Sequence, residues 1–304
     1  MMRAAWRSYT PYLHLYRALK LSHDAQALSD VLTHLVRATS MDREEATKTA
    51  ILAALTGDLG LTCTLMDAHT THDTPLHELP DVAASRSGPL HVERTSEALR
   101  HYSAMAKSAG GFVTLIAEQL TGDPEDDFHS AVHLFASVPG SSDRKGRTIA
   151  RLLSTCAGWD FDCNGHGALG KSLPSVAHAG LALLAPAHPA QDPALLFTHL
   201  VTDTAQSLGY PLGEGLDPHG ITEALASLQR LSVATYYVGL RIDQMQADLI
   251  RAPHTPLAAQ AWASRTAVLP HRYLGERNGW YGPTPDRKSV FRDTGHIAVR
   301  RAPA

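Results

Sequence analysis

The chain has 304 residues, of which 44% are hydrophobic and 19% are charged, with three cysteines and a formal net charge of −3. This composition supports a folded core and excludes a wholly disordered chain, and three cysteines exclude a disulfide framework. No apolar run reaches the ~18 residues of a membrane-spanning helix, and the N-terminus lacks the apolar core of a signal peptide. We therefore expect a reduced cytoplasmic protein without membrane contact.

Helix signals dominate the chain from its N-terminus onward. At several places a capping residue stands directly before a proline and an apolar run of helical period follows. The cap's oxygen accepts an amide proton of the first turn, where proline has no amide proton to lose. These pairs are Thr10-Pro11, Asp123-Pro124, Asp192-Pro193, Asp217-Pro218 and Thr255-Pro256. Asp42 with Glu45 predicts a capping box, and Gly110-Gly111 and Gly209 predict helix ends.

The predicted helices follow from these signals and from apolar periodicity. They cover 11–37, 43–56, 59–68, 94–109, 112–121, 124–138, 146–157, 173–185, 193–208, 218–251 and 256–268. Gly220 and Gly239 favour a break within 218–251. Residues 69–91, rich in Thr, Asp, His and Pro, are typical of a loop.

The predicted class is mainly α, a multi-helix, bundle-like globular protein with a helical hairpin. One small C-terminal β-hairpin is also expected, because the runs 288–292 and 296–300 flank the turn triplet Asp293-Thr294-Gly295. We expect an N-terminal helical lobe over 1–120, a second helical lobe with the hairpin over 121–270, and a basic C-terminal extension over 271–304. The whole chain could also form one single domain.

The small net charge conceals a basic C-terminal part. From Arg265 to the end, eight Lys and Arg residues stand against three Asp and Glu residues, and aromatic residues are interleaved with them. Basic side chains mixed with aromatic ones favour phosphates and unstacked bases. The alternative is a basic tail folded over an acidic body.

A glycine-rich segment, 165–172, fits the P-loop pattern G-x-x-x-x-G-K-[ST]. A P-loop follows a buried parallel strand, whereas 159–164 does not have the character of such a strand, so we expect a connector. The same region imitates a calcium loop that starts at Asp160. Lys171 occupies the position of its bidentate glutamate and cannot bind calcium.

Histidine makes up 18 of the 304 residues, and its abundance supports the hypothesis of a metal-binding site. Histidines and aspartates recur at intervals of about 30 residues at His34, His72-Asp73, His101, His129 and Asp160. Their order resembles that of HD-domain metal phosphohydrolases, which are all-α proteins. The resemblance implies a His/Asp metal-dependent phosphohydrolase that holds one or two divalent metal ions with these residues.

Residues 131–162 carry a third pattern. An apolar helix ends at Val138-Pro139-Gly140, a second helix opens with Arg144-Lys145, and Asp160 and Asp162 follow that helix. This arrangement resembles the helix-hairpin-helix DNA glycosylase superfamily. The resemblance implies that Pro139-Gly140 is the hairpin whose amides bind a DNA phosphate. It also implies that Lys145 is the lysine that some members place at the hairpin, and that Asp162 or Asp160 is the aspartate that follows one helix later. Ser142 stands where the family motif has its second glycine.

This resemblance implies an enzyme that modifies or excises bases of nucleic acids or nucleotides, with DNA or a modified nucleotide as partner and no cofactor. A carboxylate could stabilise a developing oxocarbenium ion, and a buried lysine of lowered pKa could form a Schiff base. The catalytic candidates are Asp162, Asp160 and Lys145. The candidate nucleic-acid contacts are Gly140, Arg144, Arg147, Arg287, Lys288 and Arg292. A non-catalytic helical interaction protein is the remaining alternative.

Overall fold

The computed structural model of the protein describes Trp6, residues 9–67, 89–163, 173–185, 192–210, 218–233, 236–252 and 255–270, and Leu274. Within these residues all regular secondary structure is helical, so the predicted mainly α class is confirmed. The predicted C-terminal β-hairpin lies outside the described residues. Among the helices described, none combines the length and the apolar character that crossing a bilayer requires.

The helices begin and end as follows. They are α1 (Tyr9–Ser22), α2 (Ala27–Ala38), α3 (Arg43–Thr56), α4 (Leu59–Asp67), α5 (Pro89–Ala109), α6 (Phe112–Ala117), α7 (Pro124–Ala136), α8 (Asp143–Cys156), α9 (Ser175–Leu184), α10 (Pro193–Leu208), α11 (Pro218–Ser232), α12 (Leu240–Arg251) and α13 (Pro256–Val268).

The chain divides into two compact units, with divisions after Ala25, Cys163 and Arg241. The first unit contains α1, α9, α10, α11 and the first two residues of α12, and in it α11 packs against both α9 and α1. The second unit contains α2 to α8, the rest of α12, and α13. There α8 packs against α7, α3 and α2, while α13 packs against α2 and α4. The lobes over 1–120, 121–270 and 271–304 stay a prediction.

Most of the caps predicted from the sequence begin their helices. Asp42 accepts the amide proton of Glu45 at 2.8 Å, and the Glu45 carboxylate accepts that of Asp42 at 3.1 Å, which completes the capping box. Asp123, Asp192 and Thr255 are N-caps of α7, α10 and α13, and each side chain accepts an amide proton of the first turn. The Thr10-Pro11 prediction is wrong, because α1 already begins at Tyr9 and Thr10 lies inside it.

The single helix predicted over 11–37 is also wrong, because the chain leaves the helix at 23–26. His23 adopts a positive φ of 57°, and the Asp24 side chain that follows is fully buried. Its carboxylate accepts hydrogen bonds from the Tyr236 hydroxyl and, at 2.9 Å, from the Arg241 amide. A buried carboxylate needs such partners, and the break is what brings Asp24 to them.

Other helix boundaries shift by a few residues. The break expected within 218–251 is present, since α11 ends at Ser232 and α12 begins directly after Gly239, whose φ is 96°. Helix α8 begins at Asp143 rather than at residue 146, and α5 begins at Pro89 rather than at residue 94. Helix ends are the part of a helix that sequence patterns define least well.

Helices α7 and α8 approach each other closely at Gly146. A Cβ atom at this position would lie 2.6 Å from the carbonyl oxygen of Val132 on α7. On the same side of α8, Ile149, Ala150 and Leu153 are fully buried. The missing side chain therefore permits contact between the two backbones.

We expect Gly146→Ala to lower the free energy of unfolding by about 1–3 kcal/mol, because the added methyl group must push α8 away from α7. Alanine in place of glycine would otherwise stabilise a helix by up to about 1 kcal/mol. Urea denaturation followed by circular dichroism measures the difference. Thr148→Ala, on the outer side of the same helix, should change stability by no more than about 0.5 kcal/mol. A more stable Gly146→Ala variant would contradict the tight crossing.

Candidate functional site

The hairpin between α7 and α8 consists of residues 137–142. The Ser141 amide donates to the Val138 carbonyl at 3.0 Å, which closes the turn. Gly140 has a positive φ of 80°, and a Cβ atom there would lie 2.3 Å from the carbonyl oxygen of Arg94 on α5. Glycine is thus required both by the backbone conformation and by the contact with α5. The predicted helical hairpin is confirmed.

Ser142 is the N-cap of α8. Its hydroxyl accepts the amide proton of Lys145 at 3.3 Å, and its carbonyl accepts that of Gly146 at 2.8 Å. The first amides of a helix have no acceptor within it, so those of Asp143 and Arg144 point out of the helix end beside the hairpin. A serine at the motif's second glycine position therefore keeps the beginning of α8 ordered.

Lys145 lies where α8 meets α5. Its half-buried side chain donates from Nζ to the Thr95 hydroxyl at 3.4 Å, and Thr95 in turn donates to the Leu55 carbonyl of α3 at 3.4 Å. Burial lowers the pKa of Lys145, and the positive charge of Arg94 lowers it further. This combination favours the neutral amine, the form that acts as a nucleophile.

Two of the arginines proposed as nucleic-acid contacts stand on either side of Lys145 in the sequence. Arg144 is exposed and Arg147 is partly exposed, while the opposite side of α8 faces the core. Arg94 on α5 is exposed as well. The three C-terminal candidates, Arg287, Lys288 and Arg292, lie outside the described residues.

The two aspartates lie at the other end of the α7/α8 pair. Asp160 and Asp162 are exposed, and the Asp162 amide donates to the Pro124 carbonyl at the beginning of α7 at 2.9 Å. From Lys145 to the end of α8 the helix advances by about 16 Å at 1.5 Å per residue. The aspartates are therefore not brought together with Lys145.

The aromatic residues next to these aspartates, Trp159 and Phe161, belong to the core. Trp159 and Phe161 are 4% and 5% exposed, so neither offers a surface for an extruded base. Their rings stack with centroids 5.9 Å apart, and the Trp159 indole donates to Thr47 Oγ1 at 3.1 Å. The guanidinium of Arg43 covers the indole at 4.0 Å. These contacts anchor the segment that follows α8 and leave its two carboxylates outside.

The residues proposed as metal ligands are not assembled as far as the structure describes them. His34 is half-buried with Nδ1 3.0 Å from Ser264 Oγ, whereas His101, His129 and Asp160 are exposed. In the part of the chain that the structure describes, no three His, Cys, Asp or Glu side chains could together hold a metal ion. His72 and Asp73 lie outside the described residues, as does the segment 165–172, so the divalent-metal set and the glycine-rich connector stay predictions.

Sequence reasoning missed Arg94 and Thr95. They precede Lys145 by about 50 residues on another helix, and no local pattern connects them with the hairpin. Only the packing of Gly140 on α5 brings them beside the lysine. A basic residue followed by a threonine on a helix is too common to signal this role.

Comparisons with known proteins give no match. No protein-family model, no curated protein and no solved structure matches this chain. The features of this chain that indicate a function are therefore Lys145, the hairpin and the charges around them.

We expect Ser142→Ala to lower the free energy of unfolding by about 1 kcal/mol, because the Lys145 amide loses its acceptor at the beginning of α8. Ser142→Asn, which retains a capping oxygen, should recover most of that loss. Thermal denaturation of the three proteins measures both differences. Equal stability of the alanine and wild-type proteins would mean that this cap contributes nothing to folding.

Proposed function

We propose that the protein modifies or excises bases in nucleic acids or nucleotides, with the hairpin at 137–142 facing the nucleic-acid backbone and Lys145 as the reactive amine. DNA, or a modified nucleotide, is the proposed partner, and the cytoplasm is the proposed location. The observation that carries the proposal is the half-buried Lys145, whose pKa is lowered by burial and by Arg94 at the edge of a glycine hairpin.

The chemistry of such an amine is the formation of a Schiff base. Its neutral nitrogen adds to the carbon of an aldehyde, the carbonyl oxygen leaves as water, and a carbon–nitrogen double bond remains. A deoxyribose that has lost its base opens to an aldehyde, so base excision creates the group with which the amine reacts. A lowered pKa increases the fraction of neutral amine near pH 7.

The charges near Lys145 support a phosphate-bearing substrate. Arg94 and Arg144 are exposed, and the outward amides at the beginning of α8 favour an anion. Contacts of this kind hold a nucleic acid in position without reading its sequence. Asp160 and Asp162 lie too far from Lys145 along α8 to act on the same atom, so the chemical step is assigned to the lysine alone.

The first test is reductive trapping on DNA with a single abasic site. Cyanoborohydride should reduce the Schiff base to a stable amine and cross-link the protein to the DNA. We expect Lys145→Gln to reduce the cross-linked fraction at least about a hundredfold, the contribution of a positioned catalytic group. Lys48→Gln is the matched control, because Lys48 is also half-buried and has a lowered pKa.

Two outcomes would contradict the proposed function. Wild-type protein that forms no cross-link above background has no accessible reactive amine of this kind. Equal loss in the Lys145 and Lys48 variants would mean that the cross-link does not depend on the hairpin. In either case the hypothesis of a non-catalytic interaction protein is favoured instead.

We also expect the cross-linking rate to rise with pH, because only the neutral amine attacks the aldehyde. Arg94→Gln removes a positive charge that lowers the pKa of Lys145, so the pKa rises and the profile moves to higher pH. Rates measured from pH 6 to pH 10 locate the midpoint. Arg100→Gln, an exposed arginine on the same helix, should leave the midpoint in place. A shift to lower pH would rule out the assigned influence of Arg94.

A further inference from the structure

The outer side of α8 carries a row of arginines. Arg144, Arg147 and Arg151 are spaced by three and four residues, so their side chains project from one side of the helix. Arg144 is exposed and the other two are partly exposed. The buried side of the helix, with Ile149, Ala150 and Leu153 among its residues, lies opposite. This division makes the row a surface feature fixed by the packing of α8.

The length of this row matches a short stretch of nucleic acid. Seven residues of α-helix advance about 10.5 Å, and a DNA strand carries one phosphate per 3.4 Å of its axis, so the row spans about three phosphates. Guanidinium groups suit phosphates because two N–H groups can donate to one phosphate at the same time. Asp143, the one acidic residue of α8, lies four residues before Arg147 and offsets part of the positive charge.

We propose that Arg144, Arg147 and Arg151 form a track for the phosphate backbone of a nucleic acid, leading away from the hairpin along α8. This inference rests on the proposed function and extends it from the reactive lysine to the strand that carries the substrate. The row begins one residue before Lys145, at the hairpin end of α8, so a strand held along it starts at the end of the helix that carries the amine. Because all three arginines belong to one helix, the helix fixes the spacing between the phosphates that they would bind.

Binding measured at several salt concentrations tests the track. Fluorescence anisotropy is measured with a DNA of about 20 nucleotides, once as a single strand and once as a duplex. Each series gives the slope of log affinity against log salt concentration. Each lost phosphate contact reduces the slope by about 0.9 for duplex and about 0.7 for single-stranded DNA. We expect Arg147→Gln/Arg151→Gln to reduce it by about 1.8 or about 1.4, respectively. The form of DNA whose slope falls by the larger fraction of its wild-type value is the form that follows the track.

Three variants serve as controls. Arg17→Gln removes an exposed arginine from α1 in the first unit and should leave the slope unchanged. Arg147→Lys/Arg151→Lys keeps the charge and should keep the slope, which separates lost phosphate contacts from damage to the helix. Asp143→Asn removes the offsetting charge and should tighten binding.

The outcomes distinguish this inference from the proposed function. Wild-type binding with a slope that the double glutamine variant leaves unchanged overturns the track, while cross-linking through Lys145 at saturating DNA would still support the base chemistry. An arginine-dependent slope without any cross-link supports the track and rejects the base chemistry. Failure of the wild-type protein to bind either form of DNA at about 50 mM salt overturns both.

Discussion

Direct contact between backbones determines the geometry of the second unit around the hairpin. At Gly140 and at Gly146 an added Cβ atom would lie closer than 3.0 Å to a carbonyl oxygen of a neighbouring helix, on α5 in one case and on α7 in the other. Lys145 lies between these two glycines in the chain. Its amine therefore reaches Thr95 because the backbone on both sides of it is held against other helices, and its partial burial follows from the same contacts.

The residues on which the proposed chemistry depends lie at one end of the α7/α8 pair. The hairpin, the outward amides of α8, Lys145 and Arg94 share that end, whereas Asp160 and Asp162 follow the opposite end of α8. Trp159 and Phe161 are used for packing, with Thr47 and Arg43 as their partners. A pattern that is continuous in sequence over 131–162 is thus divided in space by the length of a helix.

Much of the fold could be predicted because its signals are local. A capping box at Asp42 and Glu45 or a left-handed glycine at the end of α10 depends on a few neighbouring residues, and these predictions hold. The break after Ser22 could not be predicted, since the partners of Asp24 are more than 200 residues away in sequence. The surroundings of Lys145 were hidden for the same reason, because Arg94 and Thr95 belong to another helix and reach the lysine only through packing.

Asp24 also bears on the order in which the first unit can form during synthesis. Its carboxylate is buried only when the Tyr236 hydroxyl and the Arg241 amide are in place, 212 and 217 residues later in the chain. Until those residues have been synthesised, Asp24 lacks the partners that its burial requires, since an unpartnered carboxylate is costly to bury. Residues 26–163, which supply most of the second unit, emerge earlier and can begin to fold first. The burial of Asp24 therefore depends on a late part of the chain, whereas the contacts of the hairpin with α5 and α7 join residues that are close to it in sequence.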